Sequence, residues 1–353
     1  MQTMKGQRIR NGILWILRGM GIALMIVIVV VAYIVFMTGP TIPDHAKIAI
    51  DSIVDAEVPE FVKGDTGYVV SDDYHIWYES ITPVDSVKGT VLLFMGISND
   101  ALGWPQDFLD NLVRSGYRTI RFDYRGTGLS DWRNGHEDRP WSLRDLAHDA
   151  VIILDSLTIE KAHLLGISLG GMVAQEYAIN YPERALTLTS VMSSGYITDP
   201  DLPPVNKAFV VDLVKNSVRY SIIHSEKNIL RRNVAVRMLL RGDALYDIDV
   251  EGVSMQVLYN IRNRKGYNPG VSRQQQKATF LSGSRYEELE EITVPALIIH
   301  GMNDPFIPIE HSMKLAEIIP GAEAMWVDNM GHDVPPYLID SLTRTLVKHF
   351  SSR

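Results

Sequence analysis

A serine stands among glycines in Gly166-Ile167-Ser168-Leu169-Gly170. A serine hydroxyl is a weak nucleophile at neutral pH, and it works when a base takes its proton and a carboxylate orients that base. The same pentapeptide also occurs in idle glycine-rich turns, so its flanks decide. His163-Leu164-Leu165 reads as a strand and Gly171–Tyr181 as a helix. A sharp strand-to-helix turn lifts the hydroxyl above a sheet, and small residues two before and two after it let the backbone close. The helix amino terminus favours negative charge developing nearby. Ser168 is the expected nucleophile.

For a nucleophile at such an elbow, the partners follow in the order acid, then histidine. His332, in Asn329-Met330-Gly331-His332-Asp333, follows the last apparent strand on a loop that can reach over a sheet, which makes it the expected base. Asp304, in Met302-Asn303-Asp304-Pro305 after the strand Pro295–Gly301, is the expected acid. Asp-Pro is also a common turn dipeptide, so Asp199 and Asp201 stay open as alternative acids. Asp333 neighbours the base but is expected to point elsewhere.

An oxyanion needs two backbone amides aimed at it. Leu169, directly after the nucleophile, supplies one. Ile97 supplies the other, in the bend Met95-Gly96-Ile97-Ser98-Asn99 after the strand Val91–Phe94, where Gly96 allows the turn. Gly96 and Trp104 are candidate substrate-binding residues, with a core aromatic as the bland reading of Trp104. His163 and His300 read as hydrogen-bonded residues at strand ends, His311 as a helix start and His349 as a surface position on a late helix. There is no cysteine, no His-Glu-x-x-His and no Walker loop, so no metal and no cofactor is expected.

The elements that would position these groups alternate. Val91–Phe94, Thr119–Phe122, His163–Gly166, Leu186–Met192, Ala296–His300 and Ala324–Val327 read as buried strands. Between most of them lie the amphipathic stretches Trp104–Ser115, Ser142–Leu157, Gly171–Tyr181, His311–Ile319 and Leu338–Phe350. That is the pattern of an α/β protein with a mostly parallel sheet covered on both faces. Gly67–Ile81 alternates more and reads as an antiparallel edge hairpin. Between about 199 and 285 the strands stop and helical periodicity continues, which reads as a helical cap inserted into a core of residues 64–198 and 286–353.

Gly19–Met37 is nineteen uncharged apolar residues, about 28 Å of helix, enough to cross a bilayer. A cleaved signal peptide usually has a shorter apolar region ending in small residues, so an uncleaved transmembrane helix at 19–37 is expected, followed by a linker at 38–63 with Gly39-Pro40 and Pro43 as helix stop. Lys5, Arg8, Arg10 and Arg18 precede the span and five acids against Lys47 follow it within residues 38–60. The positive-inside rule then places tail 1–18 in the cytoplasm and the catalytic domain outside it, in the periplasm or exterior of a bacterium. The net charge of −8 argues against nucleic-acid partners. Residues 196–285 are basic, and this surface could face anionic headgroups or an acidic substrate, or simply be solvated.

From about residue 65 to the end the chain resembles the α/β-hydrolase superfamily, on the Gly96 loop, Phe122-Asp123-Tyr124-Arg125-Gly126-Thr127-Gly128-Leu129-Ser130, the Ser168 elbow, His300-Gly301-Met302-Asn303-Asp304 and Gly331-His332. Met95-Gly96, Trp104-Pro105 and the Asp123–Ser130 motif look like methylesterase-like hydrolases of carboxylic esters, although many of those have His-Gly where this chain has Met95-Gly96. The resemblance implies a serine esterase acting on a small-molecule ester. Carbon–carbon bond hydrolysis, acyl transfer and cofactor-free haloperoxidase chemistry on the same triad are the alternatives, and a non-catalytic membrane-tethered interaction protein is the third. The Asp123–Ser130 motif is expected to build a turn and not to act in catalysis. Oligomeric state is left open.

Overall fold

The computed structural model describes residues 2–39, 41–133 and 140–352, with side chains from residue 13 onward. Pro40 and the side chains of Lys5, Arg8 and Arg10, invoked above for the helix stop and the charge bias, lie outside the described residues. In chain order the elements are α1 (Gln2–Met37), α2 (Asp44–Ile53), β1 (Asp65–Ser71), β2 (Tyr74–Ile81), β3 (Gly89–Phe94), α3 (Gln106–Arg114), β4 (Tyr117–Phe122), α4 (Leu143–Ser156), β5 (Ala162–Ile167), α5 (Leu169–Asn180) and β6 (Ala185–Val191). Then come α6 (Lys207–Ser221), α7 (Glu226–Arg241), α8 (Val250–Asn263), α9 (Val271–Ser282), α10 (Tyr286–Leu289), β7 (Ala296–Gly301), α11 (Glu310–Ile318), β8 (Glu323–Val327) and α12 (Ile339–Phe350).

The strands form one sheet in the order β1-β2-β4-β3-β5-β6-β7-β8. β1 and β2 form an antiparallel hairpin on the edge, and β2 meets β4 antiparallel. From β4 to β8 every pairing is parallel. The central strands are largely apolar, as in the fully buried Val91, Leu92, Leu93 and Phe94 of β3, because both faces are covered. One face packs Leu146, Ala150, Val173 and Leu315 from α4, α5 and α11, and the other packs Leu109 and Leu112 of α3 with Leu342 and Leu346 of α12. His349, expected on the surface, is only 6% exposed because the last turn of α12 closes over the sheet. The fold is an α/β-hydrolase fold, and the carboxyl ends of its parallel strands are where a ligand crevice forms.

The stretch expected as linker 38–63 contains α2. Ile42, Ala46, Ile50 and Ile53 recur at helical spacing, and they pack on Leu230, Val234 and Leu258 of α7 and α8. Its far end is tied to the sheet. The buried Glu79 accepts the Lys63 and Gly64 amides at 2.6 and 2.7 Å and pairs with the buried Arg121 at 2.5 Å, while Arg121 donates to the Phe61 carbonyl.

Helices α6–α9 lie between β6 and β7 in sequence. A buried ion cluster bolts them to the core. Arg264, just past α8, pairs with Asp123 and, at 3.4 Å, with Asp100, and its guanidinium lies 4.4 Å over Trp77. Asp123 also accepts the amides of Ala101 and Leu129, and Ser130 donates to its carbonyl. The Asp123–Ser130 motif is thus a turn built around one carboxylate.

Candidate active site

Ser168 sits between β5 and α5 with φ 56° and ψ −120°, a backbone conformation that costs of order 1–3 kcal/mol for a side-chain-bearing residue. The glycines around it are required by close approach. A Cβ on Gly166 would meet the Gly170 carbonyl oxygen at 2.1 Å, and one on Gly170 would meet the Phe94 carbonyl oxygen at 2.0 Å. A Cβ on Gly171 would press on Ser193 at 2.6 Å. The elbow is held by the Ser168 amide donating to Val191 at 2.8 Å and by the Ser193 hydroxyl donating to the Ser168 carbonyl at 2.7 Å.

His332 and Asp304 come together across 28 residues of sequence: Nδ1 of His332 lies 2.6 Å from Oδ2 of Asp304. Asp304 hangs from the end of β7, where its Oδ1 accepts the Phe306 and Ile307 amides at 2.8 and 3.0 Å. Its other oxygen is also 3.2 Å from Nε2 of His300. That nitrogen faces the Ile307 carbonyl as well, at 3.1 Å, so it carries a hydrogen. Burial raises the Asp304 carboxyl, but the positive charge available at His332 and hydrogen bonds from His300 and His332 outweigh it and hold it well below the usual carboxylate range. His300, read from sequence only as a strand-end residue, is a partner of the acid.

The competing acids are engaged elsewhere. Asp199 accepts the Tyr286 hydroxyl at 2.8 Å, and Asp333 pairs with Arg237 at 2.5 Å. Asp201 lies exposed, with its amide on Asp199.

The bend after β3 lies against the elbow, with an ideal Gly96 Cβ 3.6 Å from the Ser168 Cβ. Leu169 is the first residue of α5, so its amide has no intrahelical acceptor. Among the described residues no acceptor is found for the Ile97 amide either. The bend is gripped by α9: the Ser98 amide donates to Gln275 at 2.6 Å, and the Ser98 and Ser272 hydroxyls are 2.5 Å apart.

Ser168 opens into a cavity of about 600 Å³ whose walls include Ile97, Leu169, Met172, Ile197, Val205, Val210, Phe280 and Phe306. Among the described residues lining it, Asp199 alone carries a charged group. Trp104 is not among them, which corrects the expectation of a substrate contact. It is 2% exposed, stacks on Phe108 at 5.6 Å and packs in the core beneath α3 and α12. No cluster of metal-ligating side chains occurs among the described residues.

A serine strained at a strand–helix elbow and opening into an apolar cavity, in a chain that also pairs His332 with Asp304, has the parts of a serine hydrolase. The chain belongs to the alpha/beta hydrolase fold family, whose model matches residues 89–335. It is similar to the rhodomycin D methylesterase of Streptomyces peucetius, 28% identical over 298 residues that cover 80% of this chain and 97% of that protein. It is also similar to a 2-hydroxy-6-oxononadienedioate/2-hydroxy-6-oxononatrienedioate hydrolase of Paraburkholderia phymatum, 29% identical, covering 69% of this chain and 81% of that one. In three dimensions it resembles the meta-cleavage product hydrolase of Pseudomonas fluorescens, with a TM-score of 0.60 at 21% identity over 80% of this chain and 97% of that one. The esterase of Exiguobacterium antarcticum gives 0.57 at 21% identity over 82% of this chain and 100% of that one.

Proposed function

We propose that this chain is a membrane-anchored carboxylic ester hydrolase with Ser168, His332 and Asp304 as its catalytic triad. His332 accepts the Ser168 proton as the Ser168 oxygen attacks the ester carbonyl, and Asp304 steadies the imidazolium. The amides of Ile97 and Leu169 hold the developing oxyanion. Collapse transfers the proton to the leaving alcohol and leaves an acyl-serine. Water, deprotonated by His332, then attacks the acyl carbon and releases the acid.

The observation that carries this reading is the strained Ser168 lining an apolar cavity, in a chain that also holds the His332–Asp304 pair at 2.6 Å. Carbon–carbon bond hydrolysis of a dioate is the second reading, favoured by the dienedioate hydrolase relative. The lining of the cavity argues against it. A doubly anionic substrate would meet apolar side chains and Asp199, with no lysine or arginine among the described lining residues, and burying an unpaired charge is costly.

A fluorophosphonate probe should label the wild type and leave Ser168→Ala unlabelled. Product analysis on neutral esters against dienedioates then separates the readings, and faster turnover of the dioates would overturn the ester assignment.

The anchor is supported by Ile13–Met37, 25 residues that contain an 18-residue stretch of mean hydropathy 3.0, only 6% of it buried in the protein. At 1.5 Å per residue this is about 37 Å, enough to span the hydrocarbon core with some tilt. The amino terminus lies in the cytoplasm on this reading, with the hydrolase domain outside. Sequencing the mature amino terminus and extracting membranes with alkaline carbonate test it: loss of the first residues, or release into the soluble fraction, would indicate a signal sequence.

A further inference from the structure

Helix α6 has a side that the protein leaves bare. Phe209 and Asn216 face inward, while Val210, Val211, Val214, Val218 and the following Ile222 are 40–64% exposed. At 100° per residue these five fall within about 120° of arc, one continuous strip. Valine has little reason to occupy the surface of a helix in water, since its branched Cβ loses rotamer freedom there and exposure gives no burial in return. A contiguous apolar patch of this kind marks a surface that meets something.

Two observations identify what meets it. The first is where α1 ends. Arg219 donates to the Val35 carbonyl at 3.0 and 2.7 Å and to the Thr38 carbonyl at 2.8 Å, the carbonyls left open where the apolar span stops. Gly39 lies against Asp212 and Lys215, two turns and one turn earlier on the same side of α6. The valine strip is the neighbouring side of the helix. When the span ends at a membrane surface, α6 is pinned to that surface, with Lys207, Lys215 and Arg219 beside the strip at the level of the headgroups. The second is where the strip leads. Val210 belongs to the strip and also lines the cavity over Ser168, and the exposed Phe280 lines that cavity too.

We propose that α6 lies in the headgroup–acyl boundary of the bilayer that α1 crosses, and that the cavity draws an apolar, lipid-partitioned ester directly from that bilayer. This rests on the readings of α1 as an anchor and of Ser168 as an ester nucleophile. It adds the face that docks, the route of the substrate and its class.

The chain has no cysteine, so Val214→Cys and Val84→Cys each give a single attachment point for an environment-sensitive nitrobenzoxadiazole label. Val84 is fully exposed in the loop before β3, at the end of the parallel strands opposite the site. In full-length protein reconstituted into phosphatidylcholine–phosphatidylglycerol vesicles, the label at 214 should emit blue-shifted light quenched by shallow spin-labelled lipid. The label at 84 should stay water-like. Water-like emission at both positions overturns the proposal. So does a blue shift at 214 that lipid quenchers leave untouched, which would mean that another protein or a second copy covers the strip.

A kinetic arm tests access. The triple substitution Val211→Ser, Val214→Ser, Val218→Ser avoids the lining of the cavity. It should lower kcat/KM about tenfold or more for a long-chain ester carried in vesicles, as the strip's affinity for lipid falls. It should leave a water-soluble short-chain ester unchanged. Equal effects, or no effect, on both esters overturn it. Failure of the underlying readings shows separately, as release by carbonate for the anchor and as missing hydrolysis of the soluble ester for the nucleophile.

Discussion

The amide of Ser98 donates to the side-chain oxygen of Gln275 at 2.6 Å, and Gln275 is fully buried. Gln275 belongs to α9, and Ser98, at φ 66°, follows the proposed oxyanion donor Ile97. Helix α9 thereby sets the backbone of the proposed oxyanion bend. Gln275→Leu should lower kcat by about 10- to 100-fold, in line with the cost of a misplaced group at a reacting centre. KM should change little, because Gln275 is absent from the lining of the cavity. Gln275→Glu keeps the acceptor and should recover much of the rate, which a merely structural role would not produce. Steady-state kinetics on one soluble ester decide between them.

The proposed base is held by helix α7 in a similar way. The His332 amide donates to the Leu240 carbonyl at 2.7 Å, and a Cβ on Gly331 would lie 2.3 Å from that same oxygen. Gly331→Ala should therefore push the His332 loop off α7. We expect kcat to drop by about 100-fold while fluorophosphonate labelling of Ser168 slows in parallel. A variant with wild-type labelling and wild-type kcat would show that the loop tolerates the shift.

Much of this site was legible from the sequence because its parts are local. An elbow is a strand, a turn and a helix within about twenty residues, and Asp304 and His332 each follow a strand that an apolar run announces. The missing parts are not local. Gln275 meets Ser98 across 177 residues and Arg264 meets Asp123 across 141, distances over which no periodicity carries a signal. Helix α2 was hidden differently: its Ala46, Ile50 and Ile53 stripe, extended by Ile42 just before it, is regular, but Pro43 and the interleaved acids gave the stretch the composition of a linker. Trp104 illustrates the reverse error, since an aromatic after an oxyanion bend fits a substrate wall equally well until the packing of α3 is seen. For His300 the signal was available: it stands four residues before Asp304 at the same strand end.

Asp304 should make stability depend on pH in a defined direction. Its folded carboxyl holds a proton less tightly than the ordinary value of 3.8, so the unfolded chain binds more protons as the pH falls through that value. The stability it contributes is complete above about pH 5 and is lost progressively below it. Urea unfolding of wild type and Asp304→Asn between pH 3 and 7 should give a difference that shrinks toward acid. At neutral pH the same variant should lose about 10⁴-fold in kcat, because an amide beside Nδ1 favours the wrong tautomer of the base.

Arg264 pairs with two buried carboxylates, and one of them, Asp100, is shifted in the opposite direction to Asp304. Its guanidinium is 1% exposed and faces two buried carboxylates, Asp100 and Asp123. Burial chiefly, with the Asp123 charge assisting, pushes the Asp100 carboxyl up to about 6 despite the Arg264 charge. A raised carboxyl binds its proton more tightly in the folded state, so its contribution falls as pH rises from about 4 through 6. Arg264→Leu leaves both carboxylates without their cation, which should cost about 3–5 kcal/mol at pH 7.5. At pH 5 Asp100 can take a proton instead of remaining a bare buried charge, so the loss should be smaller there. Thermal melts of the variant and the wild type at the two pH values measure the difference. An equal loss at both would mean that water reaches the cluster once the arginine is gone.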